Sequence, residues 1–201
     1  MRYAAEHKEE TRTKVLRAAA SAMRAHGTQG VGVAEIMRSV GLTHGGFYAH
    51  FRSRDDLVAQ AVAFMFSDLS ERYARRTVGM PPQQALVAYI DGYVSARHRD
   101  DAARGCPLTC ITADAARGND AAREAFDAGV RSIVGRLAAW LPPASEPAEA
   151  RAAALLSSMA GTVALARAVS DASFSDSILE AGRRAARAGA GLPTDPAGAP
   201  A

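Results

Sequence analysis

Apolar residues recur three and four positions apart along almost the whole chain, and this spacing limits its possible folds more than any other feature. Val15, Ala19, Ala22, Met23 and His26 share one face of KEETRTKVLRAAASAMRAH, residues 8–26, and Val33, Ile36, Met37 and Val40 keep the same period in VAEIMRSV. Leu57, Ala61, Phe64, Met65 and Leu69 repeat it in DDLVAQAVAFMFSDLSERYARR, and Leu86, Tyr89, Ile90, Tyr93 and Val94 in QQALVAYIDGYVSARHRD. A further stripe, Phe126, Val130, Ile133, Val134, Leu137 and Leu141, runs to Pro142-Pro143. No segment alternates as a half-buried strand would. Alanine, the strongest helix former, fills 46 of the 201 positions. The expected class is all-α, and sandwiches, barrels and disulfide-stapled miniature folds are disfavoured.

Glycine and proline divide these stripes into elements. Gly27 stops the first, GTQGVG links it to a short helix closed by Gly41, and Thr43 is placed to cap a second short helix, HGGFYAHF, through its hydroxyl. Ser53 and Asp56 have capping-box spacing and open the next helix, with Asp in place of the usual Glu or Gln. After Gly79-Met80-Pro81-Pro82 comes another helix. Pro107 then suits the first position of a short one reaching about Arg117. Asp120 starts a longer one, and two more are expected at about 146–170 and 174–189. Three short N-terminal helices followed by six more make up the expected architecture, with 190–201 having the composition of a disordered tail.

Charge is unevenly spread. Residues 1–60 hold nine Lys and Arg against six Asp and Glu, and the remainder is balanced. His7, His26, His44 and His50, four of the five histidines, lie in the same basic third. Two cysteines cannot build a disulfide framework, MRYAAEHKEE is too polar for a signal peptide, and charges interrupt every apolar run. The expectation is a cytoplasmic protein without a membrane span. Catalysis finds no local signature: HExxH, GxSxG, a P-loop, CxxC and a Glu-x-x-His pair are all missing, so no catalytic residues, metal or cofactor are expected.

The stretch VAEIMRSVGLTHGGFYAHF pairs two short helices across a tight glycine-containing turn. A helix-turn-helix needs this spacing, because its second helix must bring N-terminal side chains into a major groove about 12 Å wide while the first braces it. Val33, Ile36, Val40, Leu42 and Phe47 would pack the pair, leaving Arg38, Thr43, His44, Gly46, Tyr48 and His50 to face outward. Arg38 is the best candidate on the bracing helix for a base or phosphate bond, since a guanidinium bridges two acceptors.

At Gly41 to Phe51, GLTHGGFYAHF, and at the following RSRDDL, the chain resembles the TetR family (TetR/AcrR-type) of bacterial transcriptional regulators. The resemblance covers about residues 10–60 in motif detail. It implies an N-terminal three-helix DNA-binding domain, 1–53, and a C-terminal six-helix regulatory and dimerisation domain, 54–189. It also implies phosphate contacts from Thr43 and Tyr48, a DNA backbone contact from His50, and His44, Gly45 and Gly46 lying against base edges, with Arg52 beside them. Gly32 departs from the family's usual Ser or Thr cap, and His44 from a common Lys.

From the same resemblance follow the partners: double-stranded operator DNA of near-palindromic sequence, a small-molecule effector of unidentified chemistry, and a second copy of the chain. A homodimer would use the last two long helices, with Leu155, Leu156, Met159, Val163, Phe174 and Ile178 at the interface and Ala160, Gly161 and Ala164 allowing close approach. An effector cavity would draw on Phe64, Met65, Tyr89, Tyr93, Phe126 and Trp140, with Cys106 and Cys110 nearby. The expected function is a ligand-released repressor. If Pro107 opens a helix, Cys106 sits at its N-cap, where the dipole favours a thiolate, which gives an electrophile- or redox-sensing repressor as the alternative. A helical enzyme and an interaction module that never touches DNA are the remaining alternatives, and both leave the Thr43–Phe51 pattern without a purpose.

Overall fold

The computed structural model describes the backbone of residues 2–193 and the side chains of 6–193. Among these residues the order is α1 (Arg2–His26), α2 (Val33–Ser39), a 3₁₀ segment (His44–Ala49), α3 (Arg54–Thr77), α4 (Pro82–Tyr93) and α5 (Ala96–Asp100). Two 3₁₀ turns follow, Ala102–Arg104 and Pro107–Thr109, then α6 (Thr112–Arg117), α7 (Asp120–Trp140), α8 (Ala148–Ala168) and α9 (Ala172–Gly189). The all-α expectation holds, with no strand among the described residues. No helix among them is long and apolar enough to cross a membrane.

Two compact units arise. One is Met1–Asp68 with Ala102–Gly129; the other is Leu69–Asp101 with Val130–Ala201. In the first, Val15, Ala19 and Met23 of α1 are buried, as are Leu57, Ala61 and Met65 of α3. Arg24 is buried as well, donating to the carbonyl of Met65 at 3.2 Å and lying 3.6 Å from Asp68. Helix α3 opens on Ser53, whose Oγ accepts the Asp56 N–H at 3.1 Å, while Asp56 Oδ2 accepts from Arg52 N at 2.8 Å. The expected box thus forms one residue offset, because the short Asp side chain reaches the amide of Arg52 instead of that of Ser53.

In the second unit α8 and α9 pack along their length. They approach closely at Gly182, where a Cβ would lie 2.2 Å from Thr162 Cγ2. Gly161, expected to allow close approach in a dimer, is exposed and has open space at its Cβ position. Ser175 Oγ donates to Ala166 O at 2.6 Å, and Asp171 caps α9 by accepting the Phe174 N–H. The single helix expected over 83–100 is broken after Tyr93, because Ser95 caps a separate turn by accepting the His98 N–H at 3.2 Å. Arg167 of α8 donates to the carbonyls of His98 and Arg99, satisfying the end of that turn.

Three more local readings are corrected. Phe66 rather than Phe64 is the buried phenylalanine of α3, pressed on Phe126 at 5.4 Å between centroids and on the bare backbone of Gly129. Pro107 does lead a helical turn, but only a three-residue 3₁₀ one, and α6 begins separately at Thr112. Cys106 is completely buried, and so short a turn supplies little dipole to favour a thiolate. Of the expected tail, Ala190 and Leu192 are buried and Pro193 O accepts from Arg187, whereas 194–201 lie outside the described residues.

Candidate nucleic-acid interface

Helix α1 ends where Gly27 takes φ +77°, and α2 begins after Gly32 in extended conformation. The side chain that usually caps such a helix is absent there, so the first amides of α2 are left to the backbone and to water. Ile36 and Met37 are buried, and the turn closes on Met37, whose carbonyl receives Leu42 N at 2.9 Å while Gly41 adopts φ +76°. The sequence reading named Ile36 as packing the pair and missed Met37, because Gly46 makes room for the Met37 methyl at 3.8 Å from its Cβ position.

The second element is a 3₁₀ segment and not an α-helix. Two successive glycines, 45 and 46, each cost about 1 kcal/mol in an α-helix, and a six-residue segment recovers little of that from packing. Thr43 stands at its N-cap in extended conformation, yet its hydroxyl makes no capping bond; Gly46 N binds the Thr43 carbonyl instead, at 3.1 Å. This corrects the expected Thr43 cap and leaves the hydroxyl exposed.

Phe47 anchors the segment. It is buried, stacked on Phe51 at 5.5 Å, and Arg12 of α1 lies over the Phe51 ring at 5.9 Å. Next to Phe47, Tyr48 projects outward, 69% exposed, with its ring edge-on to His44 at 6.4 Å. Arg38, Thr43, His44 and Gly45 are exposed too, and the Arg52 side chain is 92% exposed, 3.7 Å from Asp56. Gly46 and His50 depart from the expected outward face. Gly46 is half-buried over Met37; His50 is half-buried, its Nδ1 enclosed without a hydrogen-bond partner. Burial, then the positive charges of Lys8 and Arg12, keeps His50 below the ordinary histidine range, so it contributes less positive charge than its type promised. For Asp56, burial opposes ionisation, but hydrogen bonds from Arg52 N and Gln60 outweigh it and hold the carboxyl below its usual range.

The residues expected to line a cavity fall in both units. Phe64, Met65, Cys106, Cys110 and Phe126 belong to the first, with Cys110 half-buried 3.7 Å from Ala102 O. Tyr89, Tyr93 and Trp140 belong to the second, where they do come together: Tyr89 lies 5.9 Å from Tyr93 and 6.0 Å from Trp140. Tyr73 and His98 complete that cluster, at 4.1 Å from Tyr89 and 4.7 Å from Tyr93, and neither was singled out in the sequence. His98 Nδ1 lies 2.7 Å from Tyr93 O; burial outweighs this bond and lowers its pKa to about 4.

Of the expected dimer residues, Leu155, Leu156, Met159 and Val163 are buried within the chain itself, on a helix that packs against α4, α5 and α9. Phe174 is 57% exposed and Ile178 half-exposed, and Leu165, which the sequence reading passed over, is 62% exposed on α8.

Residues 15–61 match a family model described as bacterial regulatory proteins, tetR family. No curated protein matches the sequence. Among solved structures, a TetR-family transcriptional regulator from Agrobacterium tumefaciens superposes with a TM-score of 0.73 at 21% identity, over 89% of this chain and 98% of that one. The reduced form of NemR from E. coli gives 0.75 at 19% identity, over 89% and 96%. FadR from Bacillus subtilis, in complex with stearoyl-CoA, gives 0.63 at 14%, over 85% and 96%. At such identities these likenesses speak for the fold.

Proposed function

We propose that the chain, whose residues 15–61 match the tetR family of bacterial regulatory proteins and whose fold is all-helical, is a ligand-responsive repressor of that family. Residues 1–53 read DNA and 54–189 sense the effector and dimerise. The observation that carries this reading is the exposed set Arg38, Thr43, His44, Tyr48 and Arg52, held on one small scaffold whose Ile36, Met37, Phe47 and Phe51 are buried. Tyr48 and Thr43 bind phosphates, Arg38 binds a base edge or phosphate, and the Gly45-Gly46 backbone approaches the groove.

Two such heads in a homodimer read half-sites one helical turn apart, which matches a near-palindromic operator. The partner copy docks on exposed Leu165 and Phe174 and half-exposed Ile178, beside the small exposed residues Ala153, Ala154, Ser157 and Gly161. A small apolar effector with a few polar groups engages the Tyr73, Tyr89, Tyr93 and Trp140 cluster. It favours a dimer whose heads are wrongly spaced for the operator, acting in the cytoplasm where that DNA lies.

The test is fluorescence anisotropy with DNA flanking the protein's own gene, from about 50 to 200 mM salt. Tight binding to one fragment, weakening steeply as salt rises, is expected. Equal, weak binding to every fragment at low salt would remove the reading.

A further inference from the structure

We propose that Asp114 of α6 is a positioning residue for DNA reading, acting through the backbone of Thr28 at the entry to α2; the proposal rests on the DNA-reading role assigned above. Thr28 is buried, and both its backbone groups are taken by distant side chains. Its N–H donates to Asp114 Oδ2 at 2.7 Å, and its carbonyl accepts from Arg54 Nη2 at 2.6 Å. Asp114 Oδ1 faces Arg117 at 3.5 Å. The turn passes close to this carboxylate: a Cβ on Gly27 would stand 2.8 Å from Asp114 Oδ2. Gly27 is therefore needed twice, for its φ of +77° and for the space.

Gly32 offers α2 no capping side chain, so buried Val31 is the local anchor at its start. The direction in which the chain enters α2 is set by Val31 together with Thr28, whose backbone is gripped between α6 and the first residue of α3. Because α2 packs against the His44–Ala49 segment, with Met37 beside Gly46, a tilt of α2 carries Tyr48 and His44 with it. Asp114 thus affects DNA affinity without touching DNA. A rearrangement of the 102–118 stretch would reach the reading helices by this route.

Charge and position make opposite forecasts for Asp114→Asn. Removing a negative charge on its own tightens binding to a polyanion. Loosening the turn weakens it, by about tenfold for one charge-assisted hydrogen bond. The experiment compares full-length wild type, Asp114→Asn, Arg54→Met and an Arg117→Ala control by hydrogen exchange over residues 27–40 and by affinity for the DNA flanking the gene. Expected for Asp114→Asn are exchange at Thr28 and the start of α2 about tenfold faster or more, and weaker DNA binding despite the added positive charge. Arg54→Met should speed exchange in the same segment, and Arg117→Ala should leave it at the wild-type rate. Wild-type exchange in both Asp114→Asn and Arg54→Met, or faster exchange with unchanged or tighter DNA binding, would overturn the proposal. If wild type binds none of the DNA, the functional reading falls, while exchange alone still decides whether Asp114 holds the turn.

Discussion

Arg187 of α9 is buried against Asp91 of α4, its Nε donating to Oδ1 at 3.0 Å and its Nη2 to Oδ2 in a fork-to-fork pair. Removing the guanidinium leaves a partly shielded carboxylate and strips the Pro193 carbonyl of its donor. Arg187→Met should lower unfolding stability by about 2 kcal/mol, below the cost of breaking a fully buried pair because Asp91 retains solvent. Arg187→Lys should recover only part of it, since an ammonium cannot match both oxygens. Urea denaturation measures both.

Tyr48→Ala should reduce operator affinity by about tenfold, evenly across operator variants, because a phosphate contact carries no sequence information. Arg38→Ala should behave differently, costing about 1–3 kcal/mol and relaxing preference at one base position if it reads a base. Both side chains are exposed, so melting temperatures should stay put. A Tyr48→Ala loss confined to one operator position would reassign that residue to base reading.

His98 gives the protein a pH-dependent stability. Burial lowers its pKa to about 4, against 6.5 for a solvated histidine, so the unfolded chain binds the extra proton first. Its stabilising contribution is complete above about pH 6.5 and is lost as pH falls towards 4, up to about 3 kcal/mol in total. Denaturation midpoints should therefore rise with pH through that window. His98→Asn should flatten the rise, and an unchanged slope would show that other groups produce it.

Leu165→Glu with Phe174→Glu should convert a dimer to monomers in sedimentation without loss of helical signal, because both side chains are exposed on the protomer. Leu156→Ala should do the reverse, destabilising each protomer by about 2–5 kcal/mol through a core cavity while leaving the association of folded chains intact.

The helices were legible because each carries its own stripe and its own stop: Val15, Ala19 and Met23 before Gly27, or Leu86, Ile90 and Tyr93 after Pro82. Within α3 that legibility ends. Leu57, Ala61, Met65 and Leu69 form one buried row and Val58, Val62 and Phe66 another, so period alone did not choose between Phe64 and Phe66. The outward residues Arg38, Thr43, His44 and Tyr48 were readable from the motif. The 3₁₀ form of their segment was not, since spacing over six residues fits either helix. Asp114 was invisible, as it meets Thr28 across 86 positions. His98 was similarly hidden, because the helix break after Tyr93 brings its ring back onto that tyrosine, and its carbonyl is held by Arg167, 69 positions away.

Position 45 stands apart from the rest of the reading segment. A side chain there would meet no atom within 4 Å, and the glycine's backbone is not of the left-handed kind that only glycine tolerates. Changing it would leave the Phe47 and Met37 packing undisturbed and add a new group on the exposed side. On the DNA-reading role proposed above, a duplicated copy of this chain would acquire a different target by one codon change, with every other residue intact. Divergence of the address can proceed independently of divergence of the signal.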